Sequence, residues 1–137
     1  PEEIYAHPSS LWLAGFLGFK NKLLAKVVAV NPLKLATSLG EFILPNLNEA
    51  FATYQKNEEL ILVIRPDGVS IAEDSMSTNQ VKGVVVDSQF RGEGYRLVLK
   101  MEDGSIFYFN DTQRREIGMV LNLKVLPTTL LVYLSYE

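Results

Sequence analysis

Cysteine is absent, histidine occurs once, and the longest apolar stretches fall far short of the roughly 18 residues that suggest a membrane span. Each shortage removes a class of function. Without thiols there is no disulfide, no zinc–thiolate site and no cysteine nucleophile, which fits a reducing compartment. With His7 alone, beside a proline at a helix start, neither a catalytic triad nor a histidine metal site can be assembled. The phosphate-binding pattern G-x-x-x-x-G-K-[ST] is missing; the nearest glycine pairs are Gly15/Gly18 and Gly92/Gly94. An excess of cations is missing too. The net charge is −3, which gives no general attraction to nucleic acid or anionic lipid, although a local basic patch is compatible with it. The opening "PEEIYAHP" is acidic where a secretory signal would be basic.

What remains is a chain of 137 residues, 47% apolar and 21% charged, with enough apolar material for a packed core. It starts with Pro1 rather than methionine, so the expectation is a piece of something longer, with any catalytic part upstream. "PEEIYAH" reads as one helical turn, with proline at its first position and Glu2 and Glu3 where the helix dipole favours carboxylates. "PSSLWLAGFLG" has helical spacing: Trp12 and Phe16 are four apart, as are Leu13 and Leu17, and Gly18 suits the C-terminal stop. The apolar face of this helix, 8–17, needs a partner, either the rest of the chain or a missing neighbour.

After Lys20 the pattern is that of strands. "LLAKVVAV" is broken by Asn31 and Pro32; "LKLATSL" turns at Gly40–Glu41 into "FIL"; "LILVI" is apolar on both faces, which argues for a central strand. The second half repeats the plan. "VKGVVVDSQF" passes through "RGEG" into "YRLVLKM", where Tyr95, Leu97, Leu99 and Met101 share a face opposite Arg96 and Lys100. "EDGS" is a hairpin turn before "IFYF". "LNLKVLPTTLLVYL" then repeats "LILVIRPDGVSIA". With Pro66 set on Pro127, Leu60 falls on Leu121, Leu62 on Leu123, Ile64 on Val125 and Val69 on Leu130. Proline donates no ladder hydrogen bond, so each marks a corner where a strand ends and a short one begins. Upstream, "KVVAV" matches "GVVVD", "LKLATSL" matches "YRLVLKM" and "GEFIL" matches "GSIFYF", loosely. The reading is an all-β chain of two small barrel-like units of about five strands each. They span 20–72 and 79–137 with a joint near 73–80, follow an N-terminal segment 1–19, and pack together or exchange strands, because a unit that small has a marginal core alone.

The polar residues give no catalytic constellation. The carboxylate pairs Glu2/Glu3, Glu58/Glu59, Glu73/Asp74 and Glu102/Asp103 fall in turns or loops, whereas an acid–base dyad needs opposed, partly buried carboxyls. "RGEG" is a hairpin loop rather than an anion nest. Phe107, Tyr108 and Phe109 alternate across a strand, so at least half of them belong to the core rather than to a base-stacking platform. Candidate contact residues are Arg65 and Asp67 where the first proline corner leaves the sheet, Arg91 and Glu93 at a hairpin tip, and Arg114 and Arg115 in the loop "NDTQRREIG". None is read as catalytic, cofactor-binding or metal-ligating.

Taken together, the segments resemble a known family. "PEEIYAHPSSLWLAGFLG" is similar to the join that follows the ATPase domain in the ATP-binding subunits of ABC importers. "IRPDGVSIA" is similar to the Arg-Pro-Glu/Asp phrase of their appended regulatory region, with Asp67 where many relatives have glutamate. "VKGVVVDSQFRGEGYRLVLKMEDGS" and "GMVLNLKVLPTTLLVYL" resemble the terminal oligonucleotide/oligosaccharide-binding (OB) fold variant called TOBE. "PTTLLVYL" is neutral where such phrases carry charge, and 40–57 matches nothing in the family. The resemblance implies two OB-like half-barrels forming a regulatory and dimerisation domain, for a polyamine, iron, oxyanion or sugar importer. It implies ATP and magnesium in an absent ATPase domain. The implied partners are that domain, a second copy, and the membrane subunits reached through the ATPase domain, but not nucleic acid. The implied location is the cytoplasmic face of the cell membrane. The alternative is a free-standing OB-fold binder of a small anion or of single-stranded nucleic acid.

Overall fold

The computed structural model of the protein describes residues 11–16, 18–45, 54–72 and 78–135. The turn expected over 1–7, His7, the start of the helix at 8–10, residues 46–53 and most of the joint near 73–80 lie outside the described residues. A helix α1 covers Leu11–Phe16. Among the described residues, ten strands follow in two blocks: β1 Lys22–Val30, β2 Leu33–Thr37, β3 Gly40–Leu44, β4 Glu59–Ile64 and β5 Val69–Ile71; then β6 Gln80–Phe90, β7 Tyr95–Met101, β8 Ile106–Asp111, β9 Val120–Val125 and β10 Leu130–Leu134.

The sheets are not the two halves of the chain. One sheet has the order β10-β4-β1-β2-β3 and the other β5-β9-β6-β7-β8, all antiparallel. Each half therefore gives its last strand to the other half's sheet. Pro66 stands where the chain crosses from the first sheet to the second, and Pro127, opening a short 3-10 turn at Pro127–Thr129, stands where it crosses back. The exchange has pseudo-two-fold register. Val69 pairs with Val125 as Leu130 pairs with Ile64, and Ile71 pairs with Leu123 as Val132 pairs with Leu62. The corners meet each other. A Cβ on Gly68 would lie 2.0 Å from Thr129 Oγ1 and 2.4 Å from Thr129 Cβ. Gly68 and Thr129 are equivalent under the proline alignment, so the axis passes between them.

Upstream of the corners the duplication is real but its register differs from the sequence match. Val27 and Val85 are equivalent, because each precedes a bulge and each accepts from and donates to one turn: Asn57 N–H to Val27 O and Val27 N–H to Glu58 O, against Gly118 N–H to Val85 O and Val85 N–H to Met119 O. Asn57 and Gly118 both have positive φ, 73° and 92°. Matching "KVVAV" to "GVVVD" is thus one residue out. Leu35 corresponds to Leu99 and Phe42 to Phe107, since these pair across their hairpins. The hairpins before β3 and β8 differ in length, and a gap of that kind is not visible in short apolar segments.

Alternation places one row of side chains from each strand inward. Leu23, Val27, Leu35, Phe42, Leu60, Leu62 and Ile64 meet Val81, Val85, Leu97, Leu99, Phe107, Phe109, Leu121 and Leu123 in a core shared by both sheets. A smaller cluster lies outside the first sheet, where Leu11 of α1 and the buried Phe19 cover Ile61, Val63, Leu131 and Tyr133. This explains why β4 is apolar on both faces. Trp12 does not join that cover; it is 75% exposed.

Candidate functional site

Two asparagines fix the open edges of the sheets. Asn21, buried just before β1, donates from Nδ2 to Ile64 O (3.1 Å) and to Tyr108 O (2.8 Å) and accepts from Tyr108 N–H (2.8 Å). Asn79, just before β6, accepts from Ile43 N–H (2.7 Å) and donates to Ile43 O (3.0 Å). Their own carbonyls accept from Ile64 and Val125, which are equivalent positions. Each half of the chain therefore satisfies the edge strand of the other, β8 by Asn21 and β3 by Asn79. Sequence reading missed both residues. The signal is the shared phrase "NKLLAKV" and "NQVKGVV", an asparagine two residues before the first inward side chain.

The clamp at β8 positions a cationic end of the second sheet. Asn110 N–H donates to Pro66 O (2.8 Å), which brings the first proline corner against the end of β8. Tyr108, outward on β8, lies under Arg96, whose guanidinium carbon is 4.3 Å from the ring centroid, and near Lys20 Nζ at 5.9 Å. Arg65 ion-pairs Asp67 at 3.0 Å, and its guanidinium carbon lies 5.3 Å from the Phe19 ring centroid. Arg115 Nε donates to Asp111 Oδ2 at the last position of β8. Burial alone would push the Asp111 carboxyl up. The Arg115 hydrogen bond and charge, with the Gln113 and Thr112 N–H groups, outweigh this and hold it below its ordinary value. Arg91 bonds Gln89 Oε1 at 2.8 Å beside the β6–β7 turn. That turn abuts β8 through Gly94, where a Cβ would meet Asp111 O at 2.8 Å.

Of the residues singled out from sequence, Arg65, Asp67, Arg91 and Arg115 thus gather around one end of β6, β7 and β8. Glu93 and Arg114 are exposed on the adjoining loops. Sequence reading did not add Lys20, Arg96 and Tyr108 to this group; their spacing says nothing until β8 is placed beside both Asn21 and β7. The arrangement can hold an anionic group by charge and by guanidinium hydrogen bonds. The cleft between β5 and β8, lined by Val69, Ser70, Leu97, Phe109 and Asp111 among others, holds about 30 Å³, room for a water rather than an organic molecule. Among the described residues there is no group of three histidine or carboxylate side chains that could hold a metal ion, and no helix long and apolar enough to cross a membrane.

Curled antiparallel sheets joined by a strand exchange define an all-β domain of two OB-like half-barrels. The same architecture is found in ModG, a cytoplasmic molybdate-binding protein solved with molybdate bound. The match has a TM-score of 0.69 and 10% identity, and covers 84% of this chain and 96% of that one. The chain belongs to the TOBE domain family, whose model matches residues 62–132, from within β4 to within β10. Three spermidine/putrescine import ATP-binding proteins named PotA are similar to it. That of Mycoplasmopsis synoviae is 28% identical over 79% of this chain and 23% of its own length. That of Clostridium novyi is 24% identical over 93% and 34%, and that of Mesomycoplasma hyopneumoniae 30% identical over 82% and 24%. The chain thus spans a quarter to a third of the length of these relatives.

Proposed function

We propose that this chain is the regulatory and pairing region of the ATP-binding subunit of an ABC importer, without catalytic groups of its own. The observation that carries the reading is the alignment of 93% of the chain with a third of a polyamine-import ATP-binding protein, over a fold of the same family. A polyamine is the cargo those relatives favour. ATP and magnesium would then be held by the ATPase domain joined to the N-terminal side. Trp12 and the exposed Leu24 offer apolar contact there, beside the residues under α1. Coupling would pass through rigid-body contacts, because a module influences hydrolysis only by contacting the open and closed arrangements of the ATPase pair differently. The subunit would lie on the cytoplasmic face of the membrane, reaching the membrane subunits through its ATPase domain.

The test is ATP hydrolysis by the intact subunit, assembled with its membrane subunits, with and without residues 20–137. The reading expects hydrolysis to survive the deletion while its rate without transport substrate changes several-fold. Rates that are the same with and without residues 20–137, both in the presence and in the absence of transport substrate, contradict it. The cationic end around Tyr108 favours a second reading, a binder of a small oxyanion. A thermal-shift series with molybdate, sulfate and phosphate tests it: saturating ligand at about 100 times its dissociation constant adds roughly 2.7 kcal/mol, and no shift with any oxyanion rejects it.

A further inference from the structure

Arginine is unevenly placed. The chain has five: Arg65, Arg91, Arg96, Arg114 and Arg115. All lie at the end of the second sheet where β7 begins and β8 finishes. Arg91 is in the turn before β7, Arg96 is second on β7, Arg114 and Arg115 follow β8, and Arg65 is at the corner that Asn110 holds through Pro66. Asp67 neutralises Arg65, and Asp111 neutralises Arg115. Arg96 is different. Among the described residues neither it nor Lys20 makes an ion pair, yet both charges lie within 5.9 Å of the centre of one ring, that of Tyr108. The ring attracts each cation, but the two cations repel each other. Asp87, opposite Val98 on the same face, accepts from Ser88 N–H (2.9 Å) and Gln89 Nε2 (2.8 Å), and Gln89 Oε1 in turn holds Arg91. These groups leave an excess of positive charge on this face. The internal duplication shows that the fold does not ask for it. Thr78 stands for Lys20 before the clamp asparagine, Pro32 for Arg96 before the leucine that pairs with Leu44 or Phe109, Ile43 for Tyr108, and Leu126 for Arg65 before the proline. None of the four is charged.

We infer that Arg96 and Lys20, held at the ring of Tyr108, form a site for a dianionic phosphoryl group, free or at the end of an ester. The inference rests on the second reading above, a binder of a small oxyanion, and names its residues and its ligand. Packed on the ring, the Arg96 guanidinium is held in place, and it makes no hydrogen bond among the described residues, so its N–H edge is open to two oxygens at once. Lys20 is placed by the next residue, Asn21, whose side chain binds both the N–H and the C=O of Tyr108. One clamp thus sets the ring and the second cation together, and the ammonium supplies a third donor. A carboxylate would match one of the two charges. A phosphate monoester carries nearly two and offers three terminal oxygens. The neighbouring cleft between β5 and β8 holds about 30 Å³ and cannot take the body of an organic molecule. The site therefore recognises a terminal group, with the rest of the ligand left in solvent.

The experiment is calorimetric titration of the 137-residue chain, in buffer free of phosphate, with inorganic phosphate, glycerol 3-phosphate and sulfate. At pH 7.5 both phosphates should bind with a Kd below about 1 mM, and sulfate, the poorer acceptor, more weakly. Equal affinity for the two phosphates shows that the phosphoryl group alone is read; a tighter ester shows that its organic part touches the face as well. R96Q should weaken binding at least about 10-fold, and R96K, which keeps the charge but not the fork, at least about 3-fold. K20Q should cost at least about 3-fold, while K82Q, at the far end of β6, changes nothing. Circular dichroism of each free variant checks that it is folded. Between pH 7.5 and pH 5.0 the ester, with a second pKa of about 6, becomes mostly monoanionic and should bind at least about 5-fold more weakly, with sulfate unaffected. Sulfate bound as tightly as the phosphates overturns the choice of ligand. If the phosphates bind but R96Q or K20Q binds them as wild type does, the anion sits elsewhere, and the inference fails while the oxyanion reading stands. No binding of any of the three at about 10 mM rejects the site and that reading together.

Discussion

Gly68 and Thr129 show how much rests on one missing methyl group. Gly68 does not need a left-handed backbone; it is required because its equivalent across the pseudo-axis occupies the space its Cβ would take. Gly68→Ala forces the two corners apart and should cost about 2–4 kcal/mol, as overpacking at a rigid site does. G68A/T129G removes the clashing side chain and should recover part of that loss in urea unfolding; a double variant no more stable than G68A contradicts the corner contact. Asp111 makes a pH prediction. Its carboxyl is held below the ordinary value, so the stability it contributes is complete above the unfolded-state pKa of about 3.9 and is lost as pH falls through the lower folded value. Asp111→Asn should flatten the fall in melting temperature below about pH 4. Melting curves of wild type and variant that decline in parallel there would show that the Arg115 link contributes nothing.

Among the elements, the edge strands β3 and β8 are the ones most dependent on single side chains. Asn21→Ala removes a buried side chain that pairs the N–H and C=O of Tyr108 and the C=O of Ile64, and should cost about 2–4 kcal/mol. Asn79→Ala does the same to Ile43, and because Asn79 is less buried than Asn21 it should cost less, about 1–3 kcal/mol. Equal, small effects would mean the edges are satisfied without the clamps. The elements also show what was legible in advance. Strand alternation reported which side chains of β7 share a face and that β8 divides between core and surface, and Pro66 and Pro127 reported the corners, because those signals are local. The asparagines were not legible, since Asn21 acts on a strand 87 residues away. Arg65, Asp67, Arg91 and Arg115 could be named one by one, but only the Asn110–Pro66 bond and the Asp111 pair show that they share one end of a sheet.

At the scale of the molecule, strand exchange makes the two repeats inseparable. Neither sheet is complete without a strand from the other half, and both inner faces contribute to one core. A module of that kind moves as a body. The most direct test is native-state hydrogen exchange of the amides along the β4–β10 ladder in the first sheet and the β5–β9 ladder in the second. The account predicts that the slowest amides of both ladders exchange with one free energy, equal to that of global unfolding, within about 0.5 kcal/mol. If one ladder opens several kcal/mol below the other, the repeats are separate units and the exchanged strands do not bind them.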